Sequence, residues 1–376
     1  MGKKIGVLTG GGDCPGLNAV VRSVVKTALH DYDMEIVGFL DGYEGLIENR
    51  YIELDDKAVS GILTRGGTIL GTSNKADPFR FPILENERYI YIDRSSQAIR
   101  NYERLGLDAL IAIGGDGTMA ATHGLQKLGM KAVGIPKTID NDRYGTDQTF
   151  GFDTALQTAT DAVDKIHTTA ASHHRIMIIE MMGRYAGWLA LMSGLAGGGD
   201  IILIPELPYD LDIICDKIKE RNRHGKGFSI IVIGEGAKPE GGDLVVQRKI
   251  ETSPDQVRLG GVANVLGSQI EGLINMETRV TILGHLLRGG IPTAYDRILA
   301  TRFGTEAVHL VAQDKLGLMV GLSGQNIQTT PIEQVAGKYR LVPGDSPLLR
   351  TGHSLGISFG VEDPVKTARE NEMAIK

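Results

Sequence analysis

The chain has 376 residues, enough for about two domains, and its 42% apolar share is ordinary for a globular enzyme. A formal charge of −6 excludes nucleic acid as the main partner, because a polyanionic duplex calls for a basic face. Cys14 and Cys215 lie far apart in no CxxC or zinc pattern, and no apolar run nears the ~20 residues of a membrane span; with no secretory leader at the start, a soluble, cytoplasmic protein with free thiols is expected.

In chain order, Lys4–Thr9 reads as an apolar strand, followed by the turn Gly10-Gly11-Gly12-Asp13-Cys14-Pro15-Gly16 and a helix over Leu17–Leu29 that buries Val20, Val21, Val24, Val25 and Ala28. A Gly-rich turn from strand to helix suits an anion, since unpaired N–H groups and the positive helix end meet there. It has neither the GxxxxGK[ST] spacing of a P-loop nor the GxGxxG of a dinucleotide site. Glu35–Phe39 is a second strand, and 65–75 (RGGTILGTSNK) a second Gly-rich loop, in which Lys75 reaches a phosphate or is merely solvated.

The centre of the chain is 110–147. Two apolar runs, Leu110–Ile113 and Ala132–Ile135, flank a helix-period segment, and each ends in a polar loop: Gly114-Gly115-Asp116-Gly117-Thr118, then Pro136-Lys137-Thr138-Ile139-Asp140-Asn141-Asp142. Strand, loop, helix, strand, loop predicts a parallel β/α unit whose loops share one crevice at the carboxyl ends of the strands. Beyond it come a helix over 151–169, a strand over Arg175–Met181, a helix from about Tyr185, a strand over Ile201–Ile204, a helix over Leu211–Arg223 and a strand over Phe228–Ile233. The polar stretch 238–259 reads as a hairpin or a mobile loop. A helix over 260–274, a strand over Glu277–Leu283 and a long helix over Thr293–Leu316 follow; the tail shows mixed short segments. The pattern predicts an α/β protein.

Phosphoryl transfer needs a phosphate cradle, a metal, a positioned hydroxyl and cations for the equatorial oxygens. The Gly loops supply N–H groups. Asp116 is a hard ligand for Mg²⁺, which takes one or two carboxylates and keeps waters. Asp140 and Asp142 share a face if their segment is extended, so one takes a hydroxyl proton while the other holds the metal or orients its neighbour. Arg184 and Lys137 are cations for the transferred group. Arg175, Arg279, His285 and Arg288 sit at strand starts or in post-strand loops and suggest an anionic acceptor; charge-assisted bonds contribute ~1.5–3 kcal/mol each.

The motifs LTGGGDCPGLN (8–18), GGTILGT (66–72), GGDGT (114–118), PKTIDND (136–142), SHHRI to EMMGR (172–184), GEG (234–236) and ETRVTILGHLLRGG (277–290), in this order over residues 4 to 310, resemble 6-phosphofructokinase. GGDGT alone also occurs in other kinases; PKTIDND with MGR and LGHLLRGG is specific. The resemblance implies two Rossmann-like, three-layer domains with largely parallel sheets, an active site in the cleft between them, and phosphorylation of fructose 6-phosphate to fructose 1,6-bisphosphate by ATP with Mg²⁺. It makes Asp140 the proton acceptor, Thr138 its catalytic neighbour, Arg184 the stabiliser of the transferred group and Asp116 the magnesium ligand. Gly12, Gly115, Gly117 and Thr118 line the donor phosphates. Thr138, Ile139, Asp142, Met182, Gly183, Glu235, Leu286 and Leu287 fall in the sugar-binding motifs, and His285 and Arg288 take the 6-phosphate. Arg175 and Arg279 match residues contributed by a neighbouring subunit, which implies a homodimer or homotetramer. The donor domain is expected at 1–150, completed by a segment near 277–320, the sugar-phosphate domain at 151–276, and a further segment at 320–376 whose packing stays open.

Three departures bear on the donor. Lys137 stands where common bacterial ATP enzymes have glycine, a feature of the branch that includes pyrophosphate-dependent members. Gly117 stands where pyrophosphate enzymes have aspartate; such a charge ~4 Å from the ATP α-phosphate would cost several kcal/mol at an effective dielectric near 20. Since a lysine tolerates either donor, Gly117 decides for ATP, with pyrophosphate as the alternative. Asn74 replaces an arginine that contacts the donor in many relatives, with Lys75 as the available cation. The rival readings are a non-catalytic nucleotide or phosphate sensor, which would lack Asp140, Asp116 or Arg184, and another GGDGT kinase, which would not need the arginine–histidine set.

Arg22, Lys26 and Lys226 match basic effector-site positions of regulated relatives, whereas Asp56 and His167 stand where those relatives have arginine. The expected outcome is weak or absent activation by ADP and inhibition by phosphoenolpyruvate. A sigmoidal rate curve made hyperbolic by ADP would contradict it.

Overall fold

A computed structural model of the chain describes residues 2–86, 88–249 and 257–375. The first half holds β1 (Lys4–Thr9), α1 (Leu17–Tyr32), β2 (Glu35–Phe39), α2 (Tyr43–Glu48), β3 (Tyr51–Glu53), β4 (Phe81–Glu85), β5 (Arg88–Ile92), α3 (Ser95–Arg104), β6 (Ala109–Gly114), α4 (Asp116–Lys127), β7 (Ala132–Pro136) and α5 (Phe152–His173). Next come β8 (Ile176–Met181), α6 (Trp188–Ala196), β9 (Ile201–Leu203), α7 (Leu211–Arg223), β10 (Ser229–Gly234), β11 (Val246–Lys249), β12 (Val257–Leu259), α8 (Val262–Leu273), β13 (Thr278–Ile282), α9 (Ala294–Ala312), β14 (Leu318–Ser323), β15 (Asn326–Pro331), α10 (Ile332–Val335), α11 (Pro347–Ser354) and α12 (Pro364–Ile375).

The strands form two main sheets. The first runs β15-β14-β7-β6-β1-β2-β3, parallel from β14 to β2 with an antiparallel strand at each edge. The second, β13-β8-β10-β9, is wholly parallel. Strands β1, β6, β7, β8 and β10 are buried almost end to end, as apolar runs with helices on both faces require. One core cluster carries Val20 and Val24 of α1, Val163 of α5, Ile179 of β8 and Phe303 of α9, so the two sheets share packed helices. Helices α1 and α9 meet at Gly304, where a Cβ would lie 2.0 Å from Ser23 Oγ. Asp296 in the first turn of α9 is buried and accepts the Thr154 N–H (2.8 Å) and hydroxyl (2.6 Å), which fixes α9 to α5.

Three expectations change. Strand β13 joins the second sheet, in register with β8, and does not complete the first; its half-exposed side chains suit an edge strand. Completion of the first sheet comes from α9 and then β14 and β15. The helix expected from Tyr185 starts at Trp188, because Gly183 (φ 146°) and Arg184 (φ 52°) are in left-handed backbone. Helix α9 stops at Ala312, where Asp314 (φ 55°) turns the chain toward β14. In the polar stretch β11 and β12 pair antiparallel, as a hairpin demands; residues 250–256 lie outside the described residues. No helix among the described residues is long and apolar enough to cross a membrane.

The segment after α10 crosses from one sheet to the other. Arg340 N–H donates to Asp142 O (2.9 Å) beside the first sheet, and Val342 N–H to Glu206 Oε1 (2.9 Å) beside the second. Glu206 also accepts the Gly187 N–H (2.9 Å) at the start of α6. Burial pushes the Glu206 carboxyl up from 4.5 to about 7, against the pull of those N–H groups. A carboxyl raised on folding contributes stability that is fully present below pH 4.5 and lost as pH rises through 7. The loss amounts to roughly 3 kcal/mol at ~1.4 kcal/mol per unit. The thermal unfolding temperature should therefore fall from pH 5 to pH 8, and Glu206→Gln should reduce that slope. An equal slope in the variant would remove Glu206 as its source.

Candidate active site

The carboxyl ends of β1, β6 and β7 in one sheet and of β8, β10 and β13 in the other open on a single cleft of about 1070 Å³. The first wall is the turn after β1. Gly11 has φ 76°, and a Cβ at Gly12 would lie 2.2 Å from Arg288 Nη1, so only glycine lets that guanidinium close in. Arg288 donates to Asp13 O (3.0 Å), and the Lys137 ammonium donates to Gly12 O. Lys137 is buried, and desolvation lowers its pKa to about 8.

The second wall is the start of α4. Gly115 caps it in extended backbone and Asp116 is its first residue, so the N–H groups and the positive end of the helix meet the cleft. Thr118 is buried under Gly10 and Gly114, where a Cβ would strike its side chain at 2.6 and 2.2 Å. A Cβ at Gly117 would meet no atom within 4 Å, so this position is open to the cleft.

The loop after β7 supplies the carboxylates. Thr138 Oγ1 accepts the Asp140 N–H (3.0 Å). Asn141 sits at φ 53°, so the segment is not extended as expected, yet Asp140 and Asp142 both line the cleft. Their environments differ. Asp142 accepts Arg143 Nε (3.0 Å) and Nη2 (2.7 Å), which occupy both of its oxygens. Among the described residues, Asp140 Oδ1 is buried with no hydrogen-bond partner. Burial, then repulsion from Asp142, raises the Asp140 pKa; Arg288, Arg184 and Arg143 pull it down. Two neighbouring carboxylates thus differ: one is paired with a guanidinium, the other keeps a bare oxygen.

The second sheet contributes Met182, Arg184, Glu235, His285 and Arg288. Gly183 is needed for its backbone: a Cβ there would lie 2.6 Å from Ala186 O. Its bend presents the Arg184 N–H to Glu235 Oε1 (3.2 Å). Burial, reinforced by Asp140, pushes Glu235 up to about 7.

Several expected residues lie elsewhere. Ile139 and Leu287 are fully buried in the core, and Leu286 is 69% exposed; none lines the cleft, because the loop and the short 3₁₀ turn alternate inward and outward side chains. Asn74 lines the cleft but Lys75 is exposed outside it, its N–H held by Ser73 Oγ (3.2 Å). Arg175 and Arg279 both pair with Glu277 at the amino ends of β8 and β13, the opposite ends of those strands from the cleft. Asp56, at the expected effector position, pairs with Lys26.

Among the lining residues that sequence reasoning missed are Tyr43, Arg143, Glu180 and Tyr339. Arg143 follows the IDND motif directly and its charge was a readable signal. Glu180 caps α8 by accepting the Gly261 (2.9 Å) and Ala263 (2.9 Å) N–H groups. Tyr339 lies far along the chain and only the fold brings it here.

No group of three or more His, Cys, Asp or Glu is placed to hold a metal among the described residues. Asp116, with a quarter of its side chain exposed in the cleft, fits instead a hard cation held by one carboxylate, waters and phosphate oxygens.

The family model described as phosphofructokinase matches residues 4–311. Relatives include the ATP-dependent 6-phosphofructokinase 2 of Clostridium perfringens, 50% identical over 95% of this chain and 98% of its own length. The ATP-dependent 6-phosphofructokinase of Chloroflexus aurantiacus is 49% identical over 96% of this chain and 98% of its own. Among solved structures, phosphofructokinase from Saccharomyces cerevisiae superposes with a TM-score of 0.75 at 30% identity, over 98% of this chain; the chain spans about half of that one, 48%. A pyrophosphate-dependent phosphofructokinase from Marinobacter aquaeolei shares the fold, with a TM-score of 0.76 at 21% identity over 98% of this chain and 91% of its own. The chain belongs to the phosphofructokinase family.

Proposed function

We infer that this protein catalyses the ATP-dependent phosphorylation of fructose 6-phosphate to fructose 1,6-bisphosphate. The observation that carries the reading is one cleft holding a bare buried carboxylate, an α-helix N-terminus with its own aspartate, and cations from both sheets. The 1-hydroxyl of the sugar stands at the Asp140 carboxylate. Its oxygen attacks the γ-phosphorus in line, the bond from that phosphorus to the β,γ-bridging oxygen breaks, and the hydroxyl proton passes to Asp140. ADP leaves with the electron pair, and no phosphoenzyme forms.

Thr138 holds the Asp140 backbone by accepting its N–H, and Arg143 keeps Asp142 engaged. Its raised pKa makes it a better base than a solvated aspartate. Arg184 neutralises the transferred group, while His285 and Arg288 take the 6-phosphate. Lys137, tied to Gly12, gives the donor loop a fixed positive charge. Magnesium at Asp116 supplies charge neutralisation on the donor phosphates. In a loose transition state positioning contributes most of the rate. Arg175 and Arg279 are too far along their strands to serve this cleft, which supports a second subunit whose site they complete, and hence a homodimer or homotetramer. The donor domain is then the first sheet with α9 and β14–β15, and the acceptor domain the second sheet.

Asp140→Asn should lower turnover by orders of magnitude with little change in binding of fructose 6-phosphate measured by calorimetry; a near-normal rate would remove Asp140 from its role. Parallel assays with ATP and with pyrophosphate should show ATP as donor. Gly117→Asp, which places a charge in the open donor space, should depress the ATP rate more than the pyrophosphate rate. Equal effects on both would dissociate Gly117 from donor choice.

A further inference from the structure

The crossing segment between α10 and α11 reaches the carboxylate read above as the magnesium ligand. Gly337 N–H donates to Asp116 Oδ1 (2.9 Å), and the Tyr339 hydroxyl donates to Asp116 Oδ2 (3.2 Å). Arg143 Nη1 stands 3.2 Å from Oδ1 as well. Its guanidinium lies 4.8 Å from the centroid of the Tyr339 ring, and residues 143 and 339 form a β-bridge. The segment cannot drift freely. Trp188 Nε1 donates to Arg340 O (2.8 Å), and the Arg340 guanidinium lies over the Trp188 ring at 4.0 Å.

A carboxylate offers about four acceptor sites. Among the described residues, Oδ1 is engaged by an amide and screened by a guanidinium, whereas Oδ2 is engaged only by a phenol. The oxygen left for a cation is therefore Oδ2, and it is the one Tyr339 orients. We propose that Tyr339 is a positioning residue of the donor site, which holds Asp116 so that Oδ2 meets the donor's divalent cation; this rests on Asp116 being the cation's carboxylate. Groups hydrogen-bonded to a ligating carboxylate set its direction and basicity, and their loss typically costs ~10–100-fold in metal affinity.

The test uses the full chain with Mn²⁺ and an ATP analogue whose β,γ bridge cannot be cleaved, the bound ion being counted by electron paramagnetic resonance. Tyr339→Phe keeps the ring on Arg143 and removes only the hydroxyl. The single tryptophan, Trp188, reports whether the segment has stayed in place. The expected result is a loss of roughly tenfold or more in Mn²⁺ affinity with an unshifted Trp188 emission. Affinity within twofold of the parent overturns the proposal. A weakened affinity accompanied by a shift in Trp188 emission overturns it too, and assigns the effect to displacement of the segment. Asp116→Asn serves as the companion. If it leaves Mn²⁺ binding intact, the reading of Asp116 has failed; if it abolishes binding while Tyr339→Phe does not, only the role of Tyr339 has failed.

Discussion

The nearly buried Arg143 guanidinium is the charge on which the site depends. It satisfies both oxygens of Asp142 and stands beside Asp116, so of the aspartates Asp116, Asp140 and Asp142 two are partnered. Without it, three carboxylates would repel one another at close range, and at least one would take up a proton. With it, Asp140 alone keeps an unpaired oxygen. A paired carboxylate and a bare one thus stand two residues apart. The guanidiniums of Arg288 and Arg184 oppose the upward push that burial gives the bare one.

That arrangement spans two sheets and needs both of them rigid. The link is made in three places. Helix α9 packs on α1 through Gly304 and is pinned to α5 through Asp296. Arg288 leaves the second sheet's wall to reach the Gly loop of the first. The segment at 337–342 runs from Asp116 and Asp142 to Trp188 and Glu206. Each link pairs a charged or polar group with partners supplied from the other side, so the two halves hold one another in register at the cleft.

Much of this was readable in one dimension. The 2-to-3.6 change of apolar period, the glycines after β1 and β6, and the carboxylates after β7 are local features, and local geometry turns them into a parallel sheet with ligand loops at its carboxyl edge. What misled was also local. Neighbours in a motif were expected to share a task, yet Ile139 and Leu287 turn into the core while Asp140 and Arg288 turn out. Backbone conformation decides this side by side, and a left-handed Asn141 or Arg184 does not announce itself in residue type.

Composition, periodicity and motif order by themselves determined the fold class and the family resemblance, and singled out Asp116, Asp140 and Arg184, which line one cleft. These follow from short-range rules: side-chain spacing, turn chemistry and the residue types that phosphate and metal require. Only the tertiary structure decided that β13 belongs to the second sheet, that Asp142 is occupied by Arg143, and that Tyr339 meets Asp116. Those outcomes depend on which distant segments share a desolvated volume. A pairing across 223 positions leaves no trace in the spacing of either partner.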